Sequence, residues 1–191
     1  MPEIQCKGSI ILATVAYTDE LCAKEGRPRI RDALSPSLSA ALPTMQRVAW
    51  RPITEWVEVL RAIVAVCDND EARAYDALVQ CGRAICEDAA GSFMKLLLRM
   101  MPPALFCRKF PDFWRRDFTG GTFVVDTSRL AENRFQAILR DIEAFDHVGP
   151  VAVGFIGFAQ EKVTGKSVSV QRTGWSLERP GPPEVVLELS W

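Results

Sequence analysis

This 191-residue chain has one histidine, two tyrosines and no C-x-x-C pair. A single imidazole excludes a multi-histidine metal site. The six cysteines (Cys6, Cys22, Cys67, Cys81, Cys86, Cys107) are scattered, and Cys81 and Cys86 stand five apart. The chain opens Met1-Pro2-Glu3-Ile4-Gln5, without the positive and apolar stretches of a secretion signal, so the cysteines read as buried free thiols and not as a disulfide frame. Lys and Arg number 23 against 24 Asp and Glu, for a net charge of −1 and no basic block. That balance argues against electrostatic binding of nucleic acid or of an anionic membrane. No apolar run suits a membrane span, since Ile10–Ala13 is soon interrupted by Thr14, Tyr17 and Thr18. Gly120-Gly121 stands without a following lysine, so there is no phosphate loop. The expectation is a cytoplasmic protein with no resident cofactor and no metal.

What is present is a globular composition, with 48% apolar and 25% charged residues. The length suits a single domain, 1–191, with a substantial core. Residues 1–118 read as mainly helical, and 119–191 as a sheet with a helix around Gly154. Ser9 suits the cap of a helix starting near Ile10, although the run Ile4–Val15 equally reads as the start of a strand. Glu25-Gly26-Arg27-Pro28 stops it, and Arg29–Leu34 is a short helix in a connecting region. Pro52 opens a helix whose Ile53, Trp56, Val57, Leu60, Ile63, Val64 and Cys67 form one apolar stripe. Glu71–Met101 is the longest helical stretch, with Gly82 and Gly91 marking close packing or a bend. Ala104–Phe118 forms another helix, broken at Pro111, and carries the aromatic set Phe106, Phe110, Phe113, Trp114 and Phe118.

Thr122–Asp126 and Phe135–Leu139 read as strands joined by a polar loop. Pro150 suits the first turn of a helix running through Val151, Phe155, Phe158, Ala159 and Val163. Gly154 and Gly157 each cost that helix about 1 kcal/mol against alanine, so close approach of another element is expected there. Ser167–Thr173 alternates, Pro180-Gly181-Pro182-Pro183 turns the chain, and Glu184–Trp191 alternates again. The fold class is therefore α+β, with helices packed on an antiparallel sheet of about four strands, two hairpins flanking a helix.

The ordered series Gly154-Phe155, Phe158, Glu161, Thr164-Gly165-Lys166, Val168, Val170 and Val185–Trp191 resembles the C-terminal half of vinyl-reductase-type ligand-binding domains. That group is related in fold to bacterial haem nitric-oxide-binding domains and to Bet3-like subunits of the TRAPP vesicle-tethering complex. The whole chain also resembles a set of myxobacterial proteins of similar length, through Lys7-Gly8-Ser9, Trp50-Arg51-Pro52, Gly82-Arg83, Trp114 with Gly120-Gly121, and Trp191. No activity carries over from that set.

The first resemblance implies a non-enzymatic sensor or adaptor, a homodimer or bound to a partner protein, with a small apolar ligand between helices and sheet. Cys81, Ile85, Phe93, Leu97, Trp114, Phe155 and Phe158 would line the pocket. Cys81 gains interest because TRAPP subunits of this type carry an acyl chain on a cysteine. The same side chains also read as plain core filling, which would leave a solid interaction scaffold. By the same likeness His147, in Phe145-Asp146-His147-Val148-Gly149, reads as an axial haem ligand. It also reads as a helix-cap or surface histidine, and the polar pattern that accompanies it in the haem family is not visible. No catalytic constellation is found: Glu87 and Asp88 are helix neighbours pointing about 100° apart and do not converge. Arg108-Lys109 and Arg115-Arg116 between aromatics are the exposed side of an amphipathic helix more readily than a nucleic-acid surface.

Overall fold

The computed structural model describes residues 3–89, 101–142, 145–172 and 184–191. A three-residue strand, β1 (Gln5–Lys7), runs straight into helix α1 (Gly8–Lys24). The opening run is thus strand first and helix after; the helix starts at Gly8 with Lys7 at its cap position and no side-chain cap bond, so Ser9 lies inside the first turn and does not cap it. β1 pairs antiparallel with β2 (Trp50–Pro52). On its other side it meets the residues after the aromatic helix, with Thr119 N donating to Gln5 O at 2.9 Å. Between β1's helix and β2 lie a 3-10 turn (Ile30–Ala33) and the short α2 (Pro36–Ala41), capped by Ser35.

Helix α3 (Ile53–Val66) buries the stripe read from the sequence, and Asp68 and Asn69 leave it in the left-handed region (φ 57° and 56°). Helix α4 (Glu71–Ala89) starts under an Asp70 cap, with Arg73 N donating to Asp70 Oδ1 at 2.9 Å. The rest of the long helical stretch, Gly91 included, lies outside the described residues. Helix α5 (Pro103–Asp117) passes through Pro111 where a break was expected. The lost N–H costs one bond, while Phe106 and Phe110 before it are driven into the core at 1% and 4% exposure.

Strands β3 (Thr122–Asp126) and β4 (Arg134–Arg140) form the first hairpin; β5 (Ser169–Arg172) and β6 (Glu184–Ser190) form the second pair. The antiparallel order is β3-β4-β6-β5. The proline-rich turn between β5 and β6 lies outside the described residues. Phe135, Ala137 and Leu139 of β4 and Val185, Leu187 and Leu189 of β6 face the core at 1% exposure each. The opposite face is mixed, with a cross-strand row of Val124, Ile138 and Val186 between Gln136–Glu188 and Arg140–Glu184 pairs at 2.6 Å.

Helix α6 (Phe145–Thr164) links the two hairpins. It starts five residues before Pro150, which therefore sits in the second turn and not the first. Asp146 in the first turn favours that earlier start by its charge against the helix N-terminus. α6 crosses α4 with backbone against backbone. A Cβ at Gly82 would lie 2.0 Å from Val151 O, and one at Gly154 would lie 1.8 Å from Val79 O. Beside the crossing, Arg83 and Glu161 pair at 2.8 Å. All six cysteines are buried free thiols. No helix among the described residues is long and apolar enough to cross a membrane.

Candidate functional site

Spacings of three and four put Phe110, Phe113 and Trp114 on the inner side of α5, and Phe118 follows at its end. Trp114 stacks on Phe118 (centroids 4.0 Å, planes 11° apart), and Phe118 lies 5.5 Å from Trp56 of α3. The Trp114 Nε1–H donates to Gly120 O at 2.9 Å, which fixes the indole's tilt. Phe123 of β3 closes the set, 5.9 Å from both Phe110 and Trp114.

Opposite this aromatic wall, α6 presents Val148, Val151, Ala152, Phe155 and Ile156, with Ile10 of α1 and Ile85 of α4 at the side. Between the two walls is a crevice of about 60 Å³. Asp117 is its one charged lining residue among those described, and Asp117 is paired with Arg116 at 2.6 Å. A space with so little polar lining disfavours ordered water, which needs two to four polar partners.

Of the residues expected to line a pocket, Ile85, Trp114 and Phe155 meet at this crevice. Cys81 and Phe158 do not line it. Cys81 is wholly buried one turn before Ile85, beside Thr14 of α1, and burial pushes its thiol up to about 12. A thiol so protonated is a poor nucleophile. Phe158 lies under two cations, with Arg83 at 4.9 Å and Lys162 at 4.5 Å from its ring. Phe93 and Leu97 lie outside the described residues. Sequence reasoning missed Ile10, Trp56, Asp117, Phe118, Phe123, Val148, Val151, Ala152 and Ile156. Most belong to apolar stripes, but a stripe marks burial and not which neighbours leave a gap.

His147 stands in the first turn of α6, half-buried, and does not line the crevice, although Val148 beside it does. Its Nδ1 is inaccessible and has no hydrogen-bond partner among the described residues. Burial, and then the Arg61 charge, hold its imidazole below the ordinary value. Gln160, one turn beyond Ile156 on α6, is fully buried. Its Oε1 accepts from Cys107 Sγ of α5 at 3.8 Å, while its Nε2 has no partner among the described residues. An orphaned buried donor of this kind costs about 1–3 kcal/mol.

A second depression of about 510 Å³ lies between the end of α1, residues 27–33 and α3. It carries mixed charge: Arg27 is paired with Asp68, and Glu58 accepts from Ser35 N. Among the described residues no group of His, Cys, Asp and Glu is arranged to hold a metal ion.

No family model matches this chain, and no curated protein matches it. Solved structures do. An H-NOX protein from K. algicida, in the unliganded Fe(II) state, is 14% identical at a TM-score of 0.67, over 96% of this chain and 95% of that one. An H-NOX protein from S. oneidensis in the Fe(II)NO state is 11% identical at 0.58, over 96% and 98%. A structure made to probe haem distortion in the H-NOX family is 10% identical at 0.58, over 97% and 94%. The chain therefore has the H-NOX fold, the haem-NO-binding one of the related groups expected from the sequence.

These neighbours are described in terms of Fe(II) and of haem, and the crevice of this chain does not fit a haem. Haem iron is held by His, Cys, Met or Tyr, and none of the described lining residues is of these types. No cation stands among them to meet a propionate; the one charge is the carboxylate of Asp117. The volume of about 60 Å³ is also far below the roughly 300 Å³ at which pockets for larger ligands begin.

Proposed function

We propose that this chain is a sensor or adaptor domain that uses the H-NOX fold without haem, taking a small apolar molecule directly into the α5–α6 crevice. The observation that carries the reading is the lining: every described residue around the crevice except Asp117 is aliphatic or aromatic. Apolar surface gains about 25 cal/mol per Å² on leaving water, and a dry apolar cavity is where that gain is available to a ligand. Ile85, Trp114 and Phe155 are the contact residues. The domain performs no chemistry in this reading and signals through a second copy or a partner protein.

A competing reading, a scaffold with a solid core, draws on the crevice's small size and on Val48, Trp50, Leu105 and Val124 at the surface. Native mass spectrometry with an absorption spectrum of the freshly purified protein separates the two. A mass increment lost on denaturation, with no Soret band, is the expected result. A Soret band overturns the haem-free reading. A bare mass that stays bare after equilibration with small hydrocarbons favours the scaffold.

A further inference from the structure

The depression between the end of α1, residues 27–33 and α3 shares no lining residue with the α5–α6 crevice. Its volume of about 510 Å³ falls in the range of roughly 300–1,000 Å³ typical of small-molecule sites. Cys22, Ile30 and Val66, all buried, give it an apolar floor, with Ala62 and Ala65 beside them. The rim is charged. Arg27 is paired with Asp68, and the Glu58 carboxylate accepts from Ser35 N and Oγ. Arg29 and Arg61 are the lining guanidinium groups that have no ion pair among the described residues. One comes from the loop after α1 and the other from α3. The loop is pinned on both sides of Arg29: Arg27 N donates to Cys22 O at 2.8 Å, and Ile30 N donates to Asp19 Oδ1 at 3.0 Å. Arg29 is therefore presented from a fixed backbone, which lowers the ordering cost of a contact made there.

We propose that this depression is a second ligand site, for a small monocarboxylate on an apolar body, with the carboxylate held by Arg29 and Arg61 and the tail laid on the floor of Ile30 and Val66. A guanidinium fork matches a carboxylate in shape and charge. Asp32 and Glu58 stand on the same rim and repel a second negative charge. The class is therefore a monoanion, and not a phosphate or a dicarboxylate. A neutral molecule of the same shape gains the floor and leaves both guanidinium groups to water. The site goes beyond the crevice reading and does not depend on it.

The test uses three molecules of one chain length: hexanoate, its neutral amide hexanamide, and the dianion adipate. Binding of each is followed by ligand-observed NMR to the full chain and to the double variant Arg29→Gln/Arg61→Gln, whose two side chains are exposed. The wild-type chain should prefer hexanoate to hexanamide about fivefold, as charge-assisted bonds at a partly screened rim give, and should bind adipate more weakly than hexanoate. The double variant should lose the preference for hexanoate. The single histidine supplies a second readout. His147 feels the Arg61 charge of α3, which lowers its imidazole, and Asp146 of its own helix, which raises it. A carboxylate set against Arg61 offsets the first, so the His147 titration followed by NMR should move up in pH with hexanoate and stay in place with hexanamide. Equal binding of hexanoate and hexanamide, or a preference that survives in the double variant, overturns the proposal. A His147 titration unmoved at saturating hexanoate puts the anion away from Arg61 and overturns it as well. So does failure of hexanoate to bind at all. Should the double variant not fold, the His147 titration in the wild-type chain decides alone.

Discussion

Gly82 and Gly154 interlock across the crossing of α4 and α6, each occupying the space beneath the other helix's backbone. The missing Cβ of Gly82 would stand 2.0 Å from Val151 O, and that of Gly154 1.8 Å from Val79 O. Val151 also lines the crevice, and Ile85 lies three residues beyond Gly82. The crossing thus fixes the position of two crevice residues.

Gly154→Ala is expected to destabilise the protein by about 3 kcal/mol or more, because a backbone carbonyl cannot step aside as a side chain can. Gly157→Ala is the internal control. Its Cβ would meet only Val170 Cγ2, at 2.9 Å, and the gain in helix propensity of about 1 kcal/mol offsets part of that contact. Urea denaturation of the two variants measures the difference. Equal stabilities would contradict the close crossing.

Stability should fall as the medium is acidified below the ordinary histidine value of 6.5. The folded state binds a proton at His147 less readily than the unfolded chain does, through burial and then Arg61. The unfolded state therefore takes up protons first, and folding loses ground until the folded imidazole titrates too. His147→Asn should flatten this limb in a series of melts between about pH 7 and 5. An unchanged limb in the variant would assign the pH dependence elsewhere.

Cys6, Cys81 and Cys107 should resist alkylation in the native protein at mildly alkaline pH, since burial pushes each thiol up to about 12. Thiolate is the reacting form, so labelling should track global unfolding. Peptide mapping after timed iodoacetamide treatment reads this directly. Rapid labelling of Cys81, or an acyl group found on it, would revive the reading drawn from the TRAPP likeness.

Titration with haem should give no stoichiometric complex and no sharp Soret band, because no His, Cys, Met or Tyr stands among the described lining residues. A band that forms in the wild-type chain and is lost in His147→Ala would contradict the fit argument.

Much of the fold was legible where period and punctuation agree. Ile53 to Cys67 follows Pro52 with an unbroken helical stripe, and Thr122–Asp126 alternates between two turns; both form as read. Gly154 was legible as a glycine that needed a close neighbour, but not which neighbour, because a sequence names the gap and not the helix that fills it. β1 and β2 were not legible as a pair: three residues each, 43 apart at Lys7↔Trp50, they carry no alternation of their own. Pro111 and Pro150 were read as boundaries because local chemistry prefers that. Tertiary burial of Phe106 and Phe110, and of Val148 ahead of Pro150, outweighs one lost hydrogen bond. The crevice was half legible. Ile85 and Cys81 share one stripe of α4, and only the packing of Thr14 over Cys81 decides that one faces space and the other does not.

The measurement that tests the central claim most directly is the location of xenon in crystals of the protein held under xenon pressure. Xenon enters dry apolar cavities and needs no polar partner. Xenon density between Trp114 and Phe155 is the expected result. Crystals that take up xenon elsewhere, or show ordered water between those two side chains, would contradict the assignment of the crevice as an apolar ligand site.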